Sequence, residues 1–508
     1  MPEELLHDEV AFYDPILELL IPKLYVHKER IDAAPTSLEE NLAQLSYDLI
    51  YNTVELGRLR FLRQAGFGWL EFPSATHTRF AHSLGSLTCG ITALDHIRVI
   101  RPNGQRVKLR ETLGEHETDF LLALLLHDIG HLPFSHVLEN NPGISNTGIN
   151  HEILTVDLIM GENENYEPKT KVYELMKRKA KEVGIKTVSQ VLHEAKKTYE
   201  KDISPRDIIY PDFICALISK RVGGKTSEDI LKGYFYLKGL IIGIIDLDRL
   251  DHYARDSFFM GVKLGTFNIL GFLRSITLDQ RDAVGHYENV HTLISKEGVP
   301  HVLQILFSKE LLWSKALDAP KIRAYECMLS KAFSLGQKKL IKTTLSESEM
   351  LIYRDDDLLN TLLQEDKNLG EVDKMIHSLV NQIIYGHPYE LLIVVEERKP
   401  EHTLEILEEI RREMIKKYKL KDIDLLFYVP KIEEGEKIRD IQWSNLWVEG
   451  TGGKERVDSK ADDRNRLCEY LEDRGKSRRY MVRFFVNYSV KKEAKENLAK
   501  DIMIKFRR

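Results

Sequence analysis

The chain is short of cysteine, of long apolar runs and of surplus charge. Its four cysteines (Cys89, Cys215, Cys327 and Cys468) lie far apart and form no Cys-x-x-Cys pair. That argues against a disulfide framework or a zinc–thiolate site and fits a reducing cytosol. The longest apolar runs, such as Leu240–Ile245, fall far short of the roughly 20 residues that span a bilayer. The stretch MPEELLHDEV lacks the charged-then-apolar pattern of a signal peptide. A net charge of -6 over 508 residues leaves no global basic field for nucleic acid or an anionic membrane. No internal repeat or low-complexity segment is present. The expectation is a soluble, cytoplasmic globular protein of roughly two to four domains, with no membrane partner and nucleic acid disfavoured.

Against this background one stretch stands out, Leu121–His136, LLALLLHDIGHLPFSH. Its apolar run reads as a buried helix. The His127-Asp128 doublet falls at the C-terminal end, before Gly130 and Pro133 break the pattern. Adjacent helical side chains point about 100° apart, so the two converge only on something small between them. A metal ion fits; a hydrogen-bonded histidine beside an acid is the plainer alternative for the pair taken alone.

Along the chain, residues 1–60 carry helix-like periodicity at Ile16-Leu19-Leu20 and Leu42-Leu45-Leu49. Leu56–Phe72 leads through a glycine-aromatic turn to a short strand. Arg79 to about Ile97 reads as a helix, with Gly85 and small residues suited to a close neighbour. Residues 101–117 are polar and turn-rich, 140–150 read as a loop, and His151-Glu152 opens a helix. Residues 163–206 are Lys-rich and read as a charged, solvated helical insertion. In Leu240–Val262, Asp248, Asp251, His252 and Arg255 fall on one helical face at i, i+3, i+4 and i+7. They form either a salt-bridge ladder or a metal site facing an anion. From 300 to 388 the chain looks helical. Beyond Tyr389, strands at 389–397, 422–430, 441–450 and 479–489 alternate with helices at 402–417 and 490–506. That pattern implies a small α/β domain after a boundary near 388.

His82, His127, Asp128 and Asp248 together offer two imidazoles and two carboxylates from three helices. A mixed N/O donor set suits Mn²⁺, Mg²⁺, Fe²⁺ or Zn²⁺, and such an ion polarises a phosphoryl group and acidifies water. His131, His136 and His151 are candidates for proton transfer, because imidazole titrates near neutral pH.

The ordered motifs RFAHSLG, HDIGHLPFSH, NHE and DLDRLDHYARDS resemble the HD-domain phosphohydrolase superfamily. Within it they are most similar to the branch of deoxynucleoside triphosphate triphosphohydrolases. The likeness runs from about Leu56 to Gly261. It implies a mostly α fold, with an HD-domain helical catalytic core over 1–388 and a smaller α/β C-terminal domain over 389–508. It implies His82, His127, Asp128 and Asp248 as ligands of a divalent metal. His131 and His151 would form the catalytic pair, with His136 on phosphate. Among substrate contacts it implies Arg79 on the nucleotide, Arg249 on the phosphates, Gln64 on a sugar hydroxyl and Asp256 beside it. His252 stands where the family has a substrate-holding tyrosine. Ala65 and Leu317-Asp318-Ala319 are further departures.

The implied reaction releases a deoxynucleoside and inorganic triphosphate from a deoxynucleoside triphosphate. The implied assembly is a homo-oligomer, dimer or tetramer, with a possible nucleotide activator. The alternatives are a phosphomonoesterase or phosphodiesterase acting on another nucleotide or single-stranded nucleic acid, and a non-catalytic nucleotide sensor.

Overall fold

The computed structural model describes residues 38–139, 150–202, 209–243, 246–281, 291–340, 350–363, 370–396, 404–429, 446–450, 453–456 and 481–506, with short segments between 9 and 27. The fold is mostly helical, with small sheets. No described helix is long and apolar enough to cross a membrane.

The centre is the helix Glu117–Leu126, whose residues from Thr118 onward are all buried. A helix apolar on every side belongs inside a core. The helix Arg79–His96 packs on it, capped by Thr78, whose hydroxyl accepts from the Ala81 N–H. At Gly90 an added Cβ would overlap Leu124, and at Gly85 it would overlap Asp251 and Arg255. Glycine at these two positions lets the Glu117 helix on one side and the Leu247–Met260 helix on the other reach backbone contact. The latter helix starts at Asp246, whose carboxylate accepts from the Arg249 N–H, and ends at Gly261 with φ 69°.

A six-stranded sheet runs Gly453–Arg456, Leu446–Gly450, His291–Ile294, Ile276–Asp279, Arg98–Ile100, Arg106–Lys108. A second, antiparallel sheet has Met481–Val486 between Glu390–Glu396 and Leu425–Tyr428. The helices Leu404–Tyr418 and Lys492–Phe506 share a separate apolar cluster with this second sheet, built on Leu407, Met414, Phe484, Leu498 and Ile502. We keep 388 as the proposed domain boundary on the strength of that cluster. The chain nevertheless crosses back, because Leu446–Gly450 pairs in parallel with His291–Ile294 of the larger unit.

Some local expectations give way. Leu19–Leu20 pairs as a strand with Tyr13–Asp14, whereas the periodicity at Leu42-Leu45-Leu49 does form a helix, Leu38–Asn52. The glycine-aromatic turn is the 3₁₀ turn Gly66–Leu70, and the short strand expected to follow it does not form. The polar stretch after Arg98 is a β-hairpin. The loop expected at 140–150 lies, except for Asn150, outside the described residues. The charged segment is helical at Val172–Val183 and Val188–Asp202, but it is not merely solvated. Val172, Met176, Val188 and Leu192 enter the main core. A Lys-rich outer face hides an apolar stripe at Val172, Met176 and Ala180, four residues apart.

Glu55 ties this segment down. It is buried, and its Oε2 accepts from the Val188 N–H at 3.0 Å, while Oε1 has no hydrogen-bond partner among the described residues. Burial raises its carboxyl from 4.5 to about 7, against the opposing backbone hydrogen bonds and Arg58. The folded state therefore binds this proton more tightly than the unfolded state. Its stabilising effect is full below 4.5 and is lost as pH rises through 7. Glu55→Gln should flatten that slope. In melts from pH 5 to pH 8 its advantage over the parent should grow by about 3 kcal/mol; a pH-independent difference would refute it.

Candidate metal centre and active site

Three elements deliver the candidate ligands. The helix Arg79–His96 carries His82 in its first turn, the Glu117 helix ends at His127-Asp128, and the Leu247 helix presents Asp248 from its first turn. Nitrogen and oxygen atoms of His82, His127 and Asp128 all lie within 4.8 Å of one another. Asp248 Oδ1 is 2.8 Å from His82 Nε2 and 3.4 Å from His127 Nε2.

The far edges of both imidazoles are fixed. His82 Nδ1 lies 2.8 Å from Asp251 Oδ2, and His127 Nδ1 lies 2.8 Å from the Leu124 carbonyl. Asp251 is itself held by Arg255 at 2.7 and 2.9 Å. Metal-binding histidines are oriented in this way, with the second nitrogen anchored to a carboxylate or carbonyl and the first turned to the ion. His127 Nε2 is buried and has no hydrogen-bond partner among the described residues, although carboxylate oxygens of Asp128 and Asp248 sit 3.4 Å away. An orphaned buried nitrogen among carboxylates fits a divalent cation. In the metal-free chain, burial opposes charge on His82. The Asp248 and Asp251 carboxylates nevertheless raise it to about 10.

Asp128 is the hub. Burial would raise its carboxyl, but Arg79, with His127 and His131, holds it well below the usual carboxylate range. Arg79 Nη1 donates to Asp128 Oδ2 at 2.5 Å, and Arg79 Nε donates to Ser135 Oγ at 2.8 Å. The guanidinium expected to meet the nucleotide is thus engaged on a ligand. His131 Nε2 is 3.1 Å from Asp128 Oδ1, and the His131 ring stacks on His151 at 4.0 Å. Burial, with Arg79 and His151, lowers His131 to about 4, so it is neutral at pH 7. The His136 side chain lies outside the described residues.

The substrate-contact expectations are placed as follows. Arg249 faces Asp246 at 3.3 Å and donates to the Gly243 carbonyl. Gln64 is buried, its N–H donating to the His77 carbonyl and its Oε1 lacking a hydrogen-bond partner. His252 Nε2 lies 2.8 Å from Asp256 Oδ2. Asp318 is paired with Arg323 at 3.0 Å and with Arg483 of the C-terminal sheet. Asp318 therefore ties the two units together through a partly buried ion-pair cluster.

Three residues that sequence reasoning missed shape this site. Buried Arg58 donates to the carbonyls of Ile129 and His131, pinning the turn after the doublet. Asp355 accepts from the Phe134 and Arg63 N–H groups, at 2.8 and 2.9 Å. It thereby holds Phe134 and Ser135, both at positive φ, a conformation non-glycine residues resist. His77 Nε2 lies 2.6 Å from Asp256 Oδ1. Arg58 sits among apolar and basic residues, Asp355 in the run RDDDLL and His77 in SATHTRF, and none of these settings names a partner.

The family model described as HD domain matches residues 80–211. The chain is 25% identical over 283 residues to an uncharacterized protein of Methanocaldococcus jannaschii, covering 56% of this chain and 45% of that protein. It is 27% identical over 330 residues to the uncharacterized protein YwfO of Bacillus subtilis, covering 65% and 56%. It is 22% identical over 381 residues to deoxynucleoside triphosphate triphosphohydrolase SAMHD1 of Bos taurus, covering 70% and 57%. The chain thus spans about half the length of these curated relatives. A phosphohydrolase from Bacteroides thetaiotaomicron shares the fold at TM-score 0.55 and 18% identity, over 94% of this chain and 99% of that one. A hypothetical protein from Aquifex aeolicus does so at 0.58 and 20%, over 96% and 100%. His82, His127 and Asp128 lie inside the stretch 80–211 that is similar to the HD domain, and they converge in space.

Proposed function

We propose that the chain is a metal-dependent nucleotide phosphohydrolase, and most specifically a deoxynucleoside triphosphate triphosphohydrolase. The observation that carries this reading is the convergence of His82, His127, Asp128 and Asp248, with both imidazoles anchored at their far edges. When bound there, a divalent cation supplies Lewis acidity to a phosphoryl oxygen and acidifies water.

The chain's own groups do the rest. Arg79 keeps Asp128 ionised and fixed. Asp128 orients His131, whose neutral imidazole is able to take a proton. His151, stacked on it and half-buried, passes a proton toward the leaving 5′-oxygen. Arg249 and His252 serve the phosphate and sugar side, and Gln64 a sugar hydroxyl. A nucleotide substrate, a nucleotide activator and a homo-oligomeric state follow from the likeness to SAMHD1 and belong to the same proposal. The described helices and the cysteine usage support a cytoplasmic setting.

A second reading, a phosphomonoesterase or phosphodiesterase, is favoured by His252 in place of the family's tyrosine. Purified chain with Mn²⁺ or Mg²⁺ and each deoxynucleotide, alone and in mixtures, separates the two by product chromatography. The expected products are nucleoside and inorganic triphosphate. Monophosphate, or turnover of diesters alone, would replace the first reading by the second.

A further inference from the structure

Next to the metal centre stands an assembly of which the proposed chemistry uses only His252. Asp256 is fully buried on the Leu247–Met260 helix, its Oδ1 2.6 Å from His77 Nε2 and its Oδ2 2.8 Å from His252 Nε2. His77 is buried and stacks on Phe259 at 4.8 Å. His252 keeps 31% of its side chain exposed, and its ring centre is 5.9 Å from that of His82. The three side chains thus lead from the core to the edge of the metal site. Because Asp256 has no exposed surface, it meets a substrate in this arrangement only through His252.

Packing does not account for His77. Its Nδ1 is buried without a hydrogen-bond partner among the described residues. A buried imidazole with one orphaned nitrogen is a poor choice for stability alone, where an apolar ring would leave nothing unsatisfied. What only histidine or a similar donor provides here is the contact to Asp256. The His77 carbonyl also accepts from the Gln64 N–H at 3.1 Å, so one residue contacts both Asp256 and Gln64.

We propose that His77 and Asp256 are positioning residues that hold His252 as a substrate-contacting side chain beside the metal centre. With Nε2 in ion-pair contact with Asp256 at 2.8 Å, the ring leaves Nδ1 for the nucleotide. This proposal rests on the phosphohydrolase reading above. His77 acts on binding and not on the reacting bond, so its loss should appear in KM and leave kcat nearly in place.

The test uses the full chain with Mn²⁺ and whichever nucleoside triphosphate it turns over. His77→Ala should raise KM about tenfold with kcat within about twofold. His77→Gln, which restores an N–H donor to Asp256, should bring KM back to within about twofold of the parent. In parallel, proton NMR of the imidazole N–H groups should show the His252 Nε2–H signal sharp in the parent and His77→Gln and lost in His77→Ala. Equal KM values in all three proteins, or a fall in kcat alone, would overturn the proposal. Should the parent turn over no nucleotide, the phosphohydrolase reading fails by itself. The His252 signal then still decides the positioning role, and its persistence in His77→Ala would refute it.

Discussion

Asp128→Ala should lower kcat about a thousandfold or more while leaving a folded, less stable chain. Three separate contacts meet at this carboxylate. It is one of the converging ligands, it orients His131 at 3.1 Å, and it neutralises Arg79. Loss of a charged ligand removes several kcal/mol of transition-state stabilisation, and each 1.36 kcal/mol is a factor of ten. Stability falls for a different reason. Arg79 is 4% exposed, and a buried guanidinium without its carboxylate costs about 3–5 kcal/mol. Asp128→Asn separates the two effects, because its amide oxygen still accepts from Arg79. The asparagine variant should melt closer to the parent yet be as inactive as the alanine variant. Added Mn²⁺ should raise the melting temperature of the parent by mass action and that of the alanine variant hardly at all. An alanine variant with near-parental turnover would remove Asp128 from the metal site.

How far was this site legible in the sequence? The features read correctly are those written in local spacing. The apolar run before His127-Asp128 is a core helix, and Asp248, Asp251 and His252 do face the same region. The elements after Tyr389 fall where alternation placed them. What escaped depends on partners far along the chain. Asp355 reaches Phe134 across 221 positions, Arg58 reaches His131 across 73, and Asp256 reaches His77 across 179. Periodicity assigns a residue to a face but does not say which distant backbone group it meets. The same limit explains the six-stranded sheet, whose strands come from three widely separated parts of the chain. Arg79 shows the reverse problem. Its position matched an expectation about substrate, whereas its buried setting places it on Asp128 and Ser135.

Gly130→Ala should cut kcat about a hundredfold with metal binding preserved. A Cβ at Gly130 would overlap the His151 carbonyl and lie 2.5 Å from the Thr155 N and 2.6 Å from Thr155 Oγ1. None of these is the free end of a flexible side chain. Gly130 N–H donates to Thr155 Oγ1 at 3.0 Å, and that hydroxyl donates to the His127 carbonyl at 3.2 Å. The added methyl therefore wedges the helix His151–Met160 away from the turn that carries His131. Overpacking of this kind costs about 1–3 kcal/mol. The larger consequence falls on the stacked His131–His151 pair, 4.0 Å between ring centres, since a displacement near 1 Å between reacting groups costs about a hundredfold. His82, His127 and Asp128 are anchored on the other side, by Asp251, the Leu124 carbonyl and Arg79. The Mn²⁺-induced rise in melting temperature should therefore survive in Gly130→Ala, in contrast to Asp128→Ala. Turnover lost together with the Mn²⁺ effect would mean that the His151 helix supports the metal ligands themselves. Turnover retained would mean that the histidine pair does not act through its stacked geometry.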